Sequence, residues 1–329
     1  MTERRDIVLE GKLKALTPLH FTLPTMEKQG QVLKPVMQFI ENEEPKKKIV
    51  IPVNSLRGAI RHSCASLFLK KFYEKTENKI DYMTYLLYAG GGAIVKKEEK
   101  GEKSIISPED YLKIIELTEK TLVLSLFGGS LPYPVGMIEG RLRIAPAVSN
   151  LDDDSFEHIR LAKTEGESEY FAMIAEGKAD SESYVDTITK TAIRNVIEDI
   201  YIIPQGTEFE HKIELRRASS EELALILHAL KEVSKKGIGG LKRFLFGKLA
   251  MTYWIYDRDY EAKISIQEGT IEIEENAKFI NDIETQLEKY WNSLSKEEWE
   301  SFTYESIEEL IKKALKKTNR KKEEAKDEV

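Results

Sequence analysis

In IVLEGKLKA, residues 7–15, the positions Ile7, Leu9, Gly11, Leu13 and Ala15 alternate with a mostly polar set that includes Glu10, Lys12 and Lys14. A period of two turns one set to a core and the other to water, so the stretch predicts a half-buried strand. From residue 54 the period changes. Leu56, Ile60, Cys64 and Leu67 recur at helical spacing and predict a helix to about Tyr73, with Asn54 or Ser55 as its cap. Alternation returns in IEGRLRI (138–144), through Ile138, Gly140, Leu142 and Ile144, and in EFEHKIELR, through Phe209, His211, Ile213 and Leu215. SSEELALILHALKEVSKKG then opens with Ser219 and Glu222 spaced as a capping box. It carries Leu223, Ile226, Leu227, Leu230 and Val233 on one face and meets Gly237 as a stop. GKLAMTYWIY (247–256) is rich in residues that suit a pleated surface and predicts a fourth strand.

The order β, α, β, β, α, β predicts an α+β fold with a ferredoxin-like, RRM-like core: a sheet with helices on one face and the other face open. That core takes residues 1–75, 138–148 and 201–257. Lys12, Lys14, Arg141 and Arg143 are expected on its open face among glutamates. Residues 76–137, with PEDYLKIIELTEKTLVLSLF and the run Gly90, Gly91, Gly92, predict a largely helical insertion. Residues 149–200 are acidic and polar and suit a projecting hairpin or loop. Residues 258–329 read as an acidic helical extension, with Trp291 and Trp299 packed on the body and the end, TNRKKEEAKDEV, as a disordered tail.

Composition narrows the class. The chain has 329 residues, 41% hydrophobic and 33% charged, which suits a globular protein with a sizeable core. No apolar run approaches the roughly 18 residues of a membrane span, and the start lacks a leader's charged-then-apolar layout, so a cytoplasmic protein with no membrane partner is expected. Cys64, the single cysteine, excludes an internal disulfide and a multi-cysteine zinc site. The net charge of −7 argues against nucleic acid only on average. Residues 1–75 hold 14 cationic side chains against 8 anionic, and residues 231–250 hold six against Glu232 alone.

Those two segments hold the candidate chemistry. Helix starts favour acidic residues, yet Arg57, Arg61 and His62 occupy the opening turns of the first helix. The unpaired N–H groups of a helix start capped at Asn54 or Ser55, with two arginines four residues apart, suit phosphates and make these residues RNA-binding candidates. The alternative is that the arginines lie along the core edge and pair with glutamates, with His62 a structural residue. In GIGGLKRF, Gly239 and Gly240 admit close backbone approach and Lys242 and Arg243 supply charge, although a helix stop and tight turn account for the same glycines. The GxxxxGK[ST] spacing of a nucleotide loop is absent. No cofactor or metal site is predicted.

TPLHF, IPVNSLRGAIRH, LFGG (126–129), TAIRNVIEDIYIIPQGTEFEHKIEL and GIGGLKRFLFGKL, in this order over residues 5–256, resemble the CRISPR-associated RAMP superfamily. Within it they are most similar to backbone subunits of the Cas seven group, and SLRGAIRH with the GGG run and LFGG looks like the type IV effector backbone. The resemblance implies a palm-like core and a thumb-like insertion at 149–200. It also implies a non-catalytic subunit that polymerises along CRISPR RNA beside other effector subunits and meets target nucleic acid through guide pairing. It sets the glycine loop against RNA, puts RNA near His20, and lays Lys190 and Arg194 on the thumb, where pairing with Asp186 or Glu198 is the alternative. Relatives that cut RNA hold an aspartate between the first strand and helix. Residues 17–53 contain only Glu27, Glu41, Glu43 and Glu44, which disfavours the other reading, an endoribonuclease acting through His20, His62 or Glu27.

Overall fold

A computed structural model describes residues 4–21, 34–41, 44–91, 106–162, 197–259 and 261–327. The chain is α+β. Strand β1 (Arg5–Ala15) is followed by a hairpin of β2 (Val36–Glu41) and β3 (Glu44–Ile51), then helix α1 (Val53–Thr76). An insertion carries α2 (Tyr82–Tyr85), a π-helical turn (Leu86–Gly90), α3 (Pro108–Lys120) and α4 (Val123–Phe127), and ends in a two-stranded sheet of β4 (Gly128–Ser130) and β5 (Met137–Glu139). Strands β6 (Leu142–Ile144) and β7 (Ala147–Asp152) come next, followed by a ribbon of β8 (Glu157–Ala162) and β9 (Ile197–Ile202). The remainder is β10 (Glu208–Ala218), α5 (Ser220–Lys236), β11 (Leu249–Tyr256), β12 (Glu261–Gln267), β13 (Thr270–Glu275), α6 (Ala277–Ser293), α7 (Lys296–Glu300) and α8 (Tyr304–Asp327).

One antiparallel sheet runs β13-β12-β11-β1-β10-β7-β3-β2, with β6 also paired to β10. Strand β1 is central, and its Ile7, Leu9, Leu13 and Ala15 are all buried in one core cluster with the apolar residues of α1 and α5, two helices that pack together. Full burial of each large aliphatic side chain stabilises by roughly 1.5–3 kcal/mol, so this inward row dictates the register. Leu9 faces Ile213 on one side and Ile255 on the other. Helix α5 has the predicted capping box between Ser219 and Glu222 and ends at Gly237, whose φ of +74° favours glycine. Trp291 and Trp299 are buried, the latter beside Phe68 of α1, so the C-terminal helices close the core.

Four expectations are corrected. Helix α1 is capped by Pro52, with no side-chain cap bond, and Asn54 and Ser55 lie inside its first turn. The amides of Ser55 and Leu56 both donate to the Pro52 carbonyl, 3.0 and 3.2 Å away, so the helix begins before the two residues expected to cap it. The strand expected over 138–144 breaks at Gly140, where a Cβ would lie 2.3 Å from the Leu126 carbonyl, and its halves pair with β4 and β10. Arg141 therefore leaves the open face and is bound by Glu119 and Ser125 of the insertion and by the buried Glu222 of α5. Residues 261–275 are a hairpin rather than helix. Ala262, Ile264 and Ile266 are buried, and Glu268 and Gly269 both take the positive φ that a tight hairpin turn needs.

His211 gives this core a pH dependence. Its Nδ1 lies 2.6 Å from the Tyr253 hydroxyl, and burial pushes the imidazole down to about 4. The unfolded chain thus takes up a proton near pH 6.5 that the folded chain refuses until about 4. The associated stability is present above pH 6.5 and is lost as the pH falls toward 4, by up to about 1.4 kcal/mol per pH unit. Urea unfolding of His211→Gln should show a shallower loss over that window than the parent. Equal slopes would exclude His211 as the source.

Candidate nucleic-acid interface

The segment from Gly237 to Lys248 folds back on the chain that leaves β1. The Gly240 amide donates to the His20 carbonyl at 2.8 Å, the Gly247 amide to the Pro18 carbonyl at 3.0 Å, and the Lys248 amide to the Thr17 hydroxyl at 3.0 Å. Gly239 has φ +76°, and a Cβ there would sit 2.3 Å from the His20 carbonyl oxygen, so glycine is what permits this contact. The sequence joins TPLHF and GIGGLKRF only by resemblance, whereas the fold brings them into hydrogen-bond contact. Beyond the glycines a single 3₁₀ turn, Lys242–Phe244, lifts Lys242, Arg243 and Phe244 into solvent, flanked by Leu241 and Leu245 at positive φ. The Arg243 guanidinium lies 4.8 Å from the Phe244 ring centroid. Partial burial, with Lys236 and Lys248 nearby, holds the Lys242 ammonium below the usual lysine range. That crowding of like charge attracts an anion.

Arg57 and Arg61 lie elsewhere and do something else. Arg57 donates to the carbonyls of Phe127 (2.8 Å) and Leu142 (3.2 Å). Arg61 donates through Nε to Tyr88 (2.7 Å) and through Nη2 to Leu87 and Gly128 (3.0 Å each). Both guanidinium groups stand over the Phe127 ring, with centroid distances of 5.5 and 5.6 Å. Gly91 has φ +84° and leaves 3.1 Å between a would-be Cβ and Arg61 Nη1, so the GGG run and LFGG meet at one arginine. Burial pushes Arg61 down to about 10, with Arg57 as a second cause, and lowers Arg57 as well. Their N–H groups are thus engaged by main-chain carbonyls rather than by the glutamates that the sequence offers.

Register separates the two groups. Leu142, which accepts from Arg57, pairs with Leu215 and hence lies level with Ile7, while the glycine loop abuts Ala15. Eight residues of strand amount to roughly 27 Å. His20 is buried, with Nδ1 3.1 Å from the Tyr201 carbonyl, and His62 is exposed on α1. Asn54 is exposed and Ser55 partly buried. Lys12 and Lys14 are exposed on the open face, each within 4.0 Å of Glu208, and Arg143 is exposed and bound to Glu139. Cys64 is buried and its thiol is pushed up by burial, as a core cysteine should be. Lys190, Arg194 and Glu27 fall outside the described residues. Among the described residues no three His, Cys, Asp or Glu side chains stand close enough to hold a metal ion, and no helix is long and apolar enough to cross a membrane. Lys46, Lys47 and Lys48 on β3, not singled out above, add a basic stretch next to the edge strand β2, and its signal was the KKK run itself.

An α+β molecule with an antiparallel sheet, helices on one face and a cationic glycine loop at a strand end defines the class. Residues 12–250 match the model of the RAMP superfamily, and the chain belongs to that superfamily. Among solved structures it is similar to a chain of a structure described as a Type IV-B CRISPR Complex, at 12% identity and a TM-score of 0.47, over 76% of this chain and 90% of that one. It is also similar to Csc2 of Thermofilum pendens, at 10% identity and a TM-score of 0.41, over 97% and 91%. No curated protein matches.

Proposed function

We propose that the protein is a CRISPR RNA-binding backbone subunit that lines up in copies along a guide within a CRISPR effector complex, with no nuclease activity of its own. The observation that carries this reading is the glycine loop: Lys242 and Arg243 stand exposed on a turn whose two ends are hydrogen-bonded to the β1 exit, in a chain of the RAMP superfamily. Backbone amides at Gly239 and Gly240 beside two cations suit the phosphates of a single strand. The strand order β11-β1-β10-β7, with α1 and α5 on one face, supports a ferredoxin-like palm, and the β8–β9 ribbon supports a thumb at 149–200 bearing Lys190 and Arg194. Other effector subunits, and target nucleic acid paired to the guide, complete the partners. Asn54 and His62, both exposed, remain in the proposed RNA-binding set, and Ser55 remains there through its hydroxyl, since its amide is given to the Pro52 carbonyl. Arg57 and Arg61 join it as direct phosphate ligands only if their carbonyl bonds are released, and otherwise act by holding the insertion in place.

Salt dependence tests this. Each phosphate neutralised on a single strand adds about 0.7 to the slope of log affinity against log salt. Replacing Lys242 and Arg243 together by Ala should flatten the slope by about 1.4 and weaken binding to every sequence alike. In the same samples, labelled RNA incubated with magnesium should stay full length. An unchanged slope removes the loop from the interface, and specific cleavage transfers the argument to an endoribonuclease.

A further inference from the structure

The face of the sheet opposite α1 and α5 holds a recess of 460 Å³ walled by Glu10 and Lys12 of β1, Glu210 and Lys212 of β10, and Trp254 and Tyr256 of β11. Trp254 and Tyr256 are two residues apart and so share a face of the strand. Their rings are nearly parallel, 17° between planes, with centroids 6.5 Å apart. Lys263 of β12 holds its ammonium 5.5 Å from the Trp254 centroid. The other two tryptophans, Trp291 and Trp299, are 2% and 0% exposed and close the core. Trp254 instead sits on the watery side of β11, beside Tyr256, which is 40% exposed.

The walls decide what such rings can take. Glu10 pairs across the sheet with Trp254 and with Lys212, and Lys12 pairs with Glu210. Lys12 also lies 4.0 Å from Glu208, and Lys212 lies 3.0 Å from Glu214. Charge of both signs, largely compensated, does not suit a run of phosphates, which needs uncompensated cations. It suits a planar uncharged group that has π faces to stack and an edge with both donors and acceptors. A nucleobase is such a group, and aromatic rings beside cations are how proteins hold unpaired bases.

We propose that the Trp254–Tyr256 recess is a stacking site for an unpaired nucleobase of single-stranded nucleic acid, separate from the phosphate contacts of the glycine loop. Trp254 is five residues along β11 from Leu249, where the loop ends, a distance of roughly 17 Å. A strand held at the loop by phosphate therefore sends a base to this face through a segment of its own. The RNA-binding reading enters only in naming the molecule that brings the base.

Two titrations test this without depending on one another. With the full chain, adenosine, an uncharged nucleoside, should quench tryptophan emission saturably. Trp254→Phe should abolish the change, because the remaining tryptophans are buried, and Tyr256→Ser, which keeps the reporter, should weaken binding about tenfold. Both side chains face water, so circular dichroism and the melting temperature should stay at parent values, and a Tyr256→Ser protein that fails this check is replaced by Tyr256→Leu, which keeps apolar bulk without a ring and should lose binding likewise. Separately, a short oligouridylate carrying thiouridine should photocrosslink to the peptide 249–256 as well as to the loop. Crosslinks confined to 237–248 with no adenosine quenching would overturn the stacking site and leave the phosphate reading standing. Adenosine quenching in a protein that binds no RNA would keep the site and sink the RNA reading. Shielding of Trp254 from acrylamide that follows protein concentration alone would overturn the proposal in favour of a contact between proteins.

Discussion

Arg61→Ala should destabilise the protein by about 3–5 kcal/mol, because three carbonyls in a half-buried setting lose a charged donor at once. The three acceptors come from two places: Leu87 and Tyr88 in the π-helical turn, and Gly128 at the start of β4. Truncation also removes the guanidinium from over the Phe127 ring, whose centroid lies 5.6 Å away. Arg61→Lys should recover part of the loss, since an ammonium retains charge but has no planar fork to reach acceptors on different sides. Urea unfolding gives the magnitude, and hydrogen exchange should show faster opening at residues 86–91 and 128–130 in both variants. A stable Arg61→Ala protein with reduced RNA affinity would reverse the assignment and make the side chain a direct phosphate ligand.

Gly239→Ala should cut RNA affinity about tenfold and lower stability by about 2–4 kcal/mol. An L-residue at φ +76° costs roughly 1–2 kcal/mol by itself. A methyl 2.3 Å from the His20 carbonyl must then push the loop away from the β1 exit, so the Gly240–His20 bond breaks and Lys242 and Arg243 lose their platform. Gly58→Ala is the matched control. Gly58 lies inside α1 with nothing within 4 Å of its would-be Cβ, so alanine there should stabilise by about 0.5–1 kcal/mol and leave RNA binding alone. Equal RNA affinity in Gly239→Ala and the parent would mean that the loop's position does not matter to binding.

The elements that the sequence alone determined are those whose signal is local. Strand β1 follows from alternation over nine residues, and the start and stop of α5 follow from Ser219, Glu222 and Gly237. Alternation was equally present in Ala262, Ile264 and Ile266, but the glutamates around them resemble a solvated helix, and only pairing with β11 shows them to be sheet. The side-chain chemistry was decided at longer range. Arg57 and Arg61 stand at a helix start where phosphate is a sound reading, yet their acceptors lie between 26 and 85 residues away along the chain. Arg141 likewise belongs by alternation to the open face and by tertiary contact to Glu119 and Glu222. Period and capping depend on neighbours two to four residues apart, which a sequence displays directly. Which carbonyl a guanidinium meets depends on how distant segments pack, and in a half-buried place an unmet donor or acceptor is costly enough that packing, not local pattern, assigns its partner.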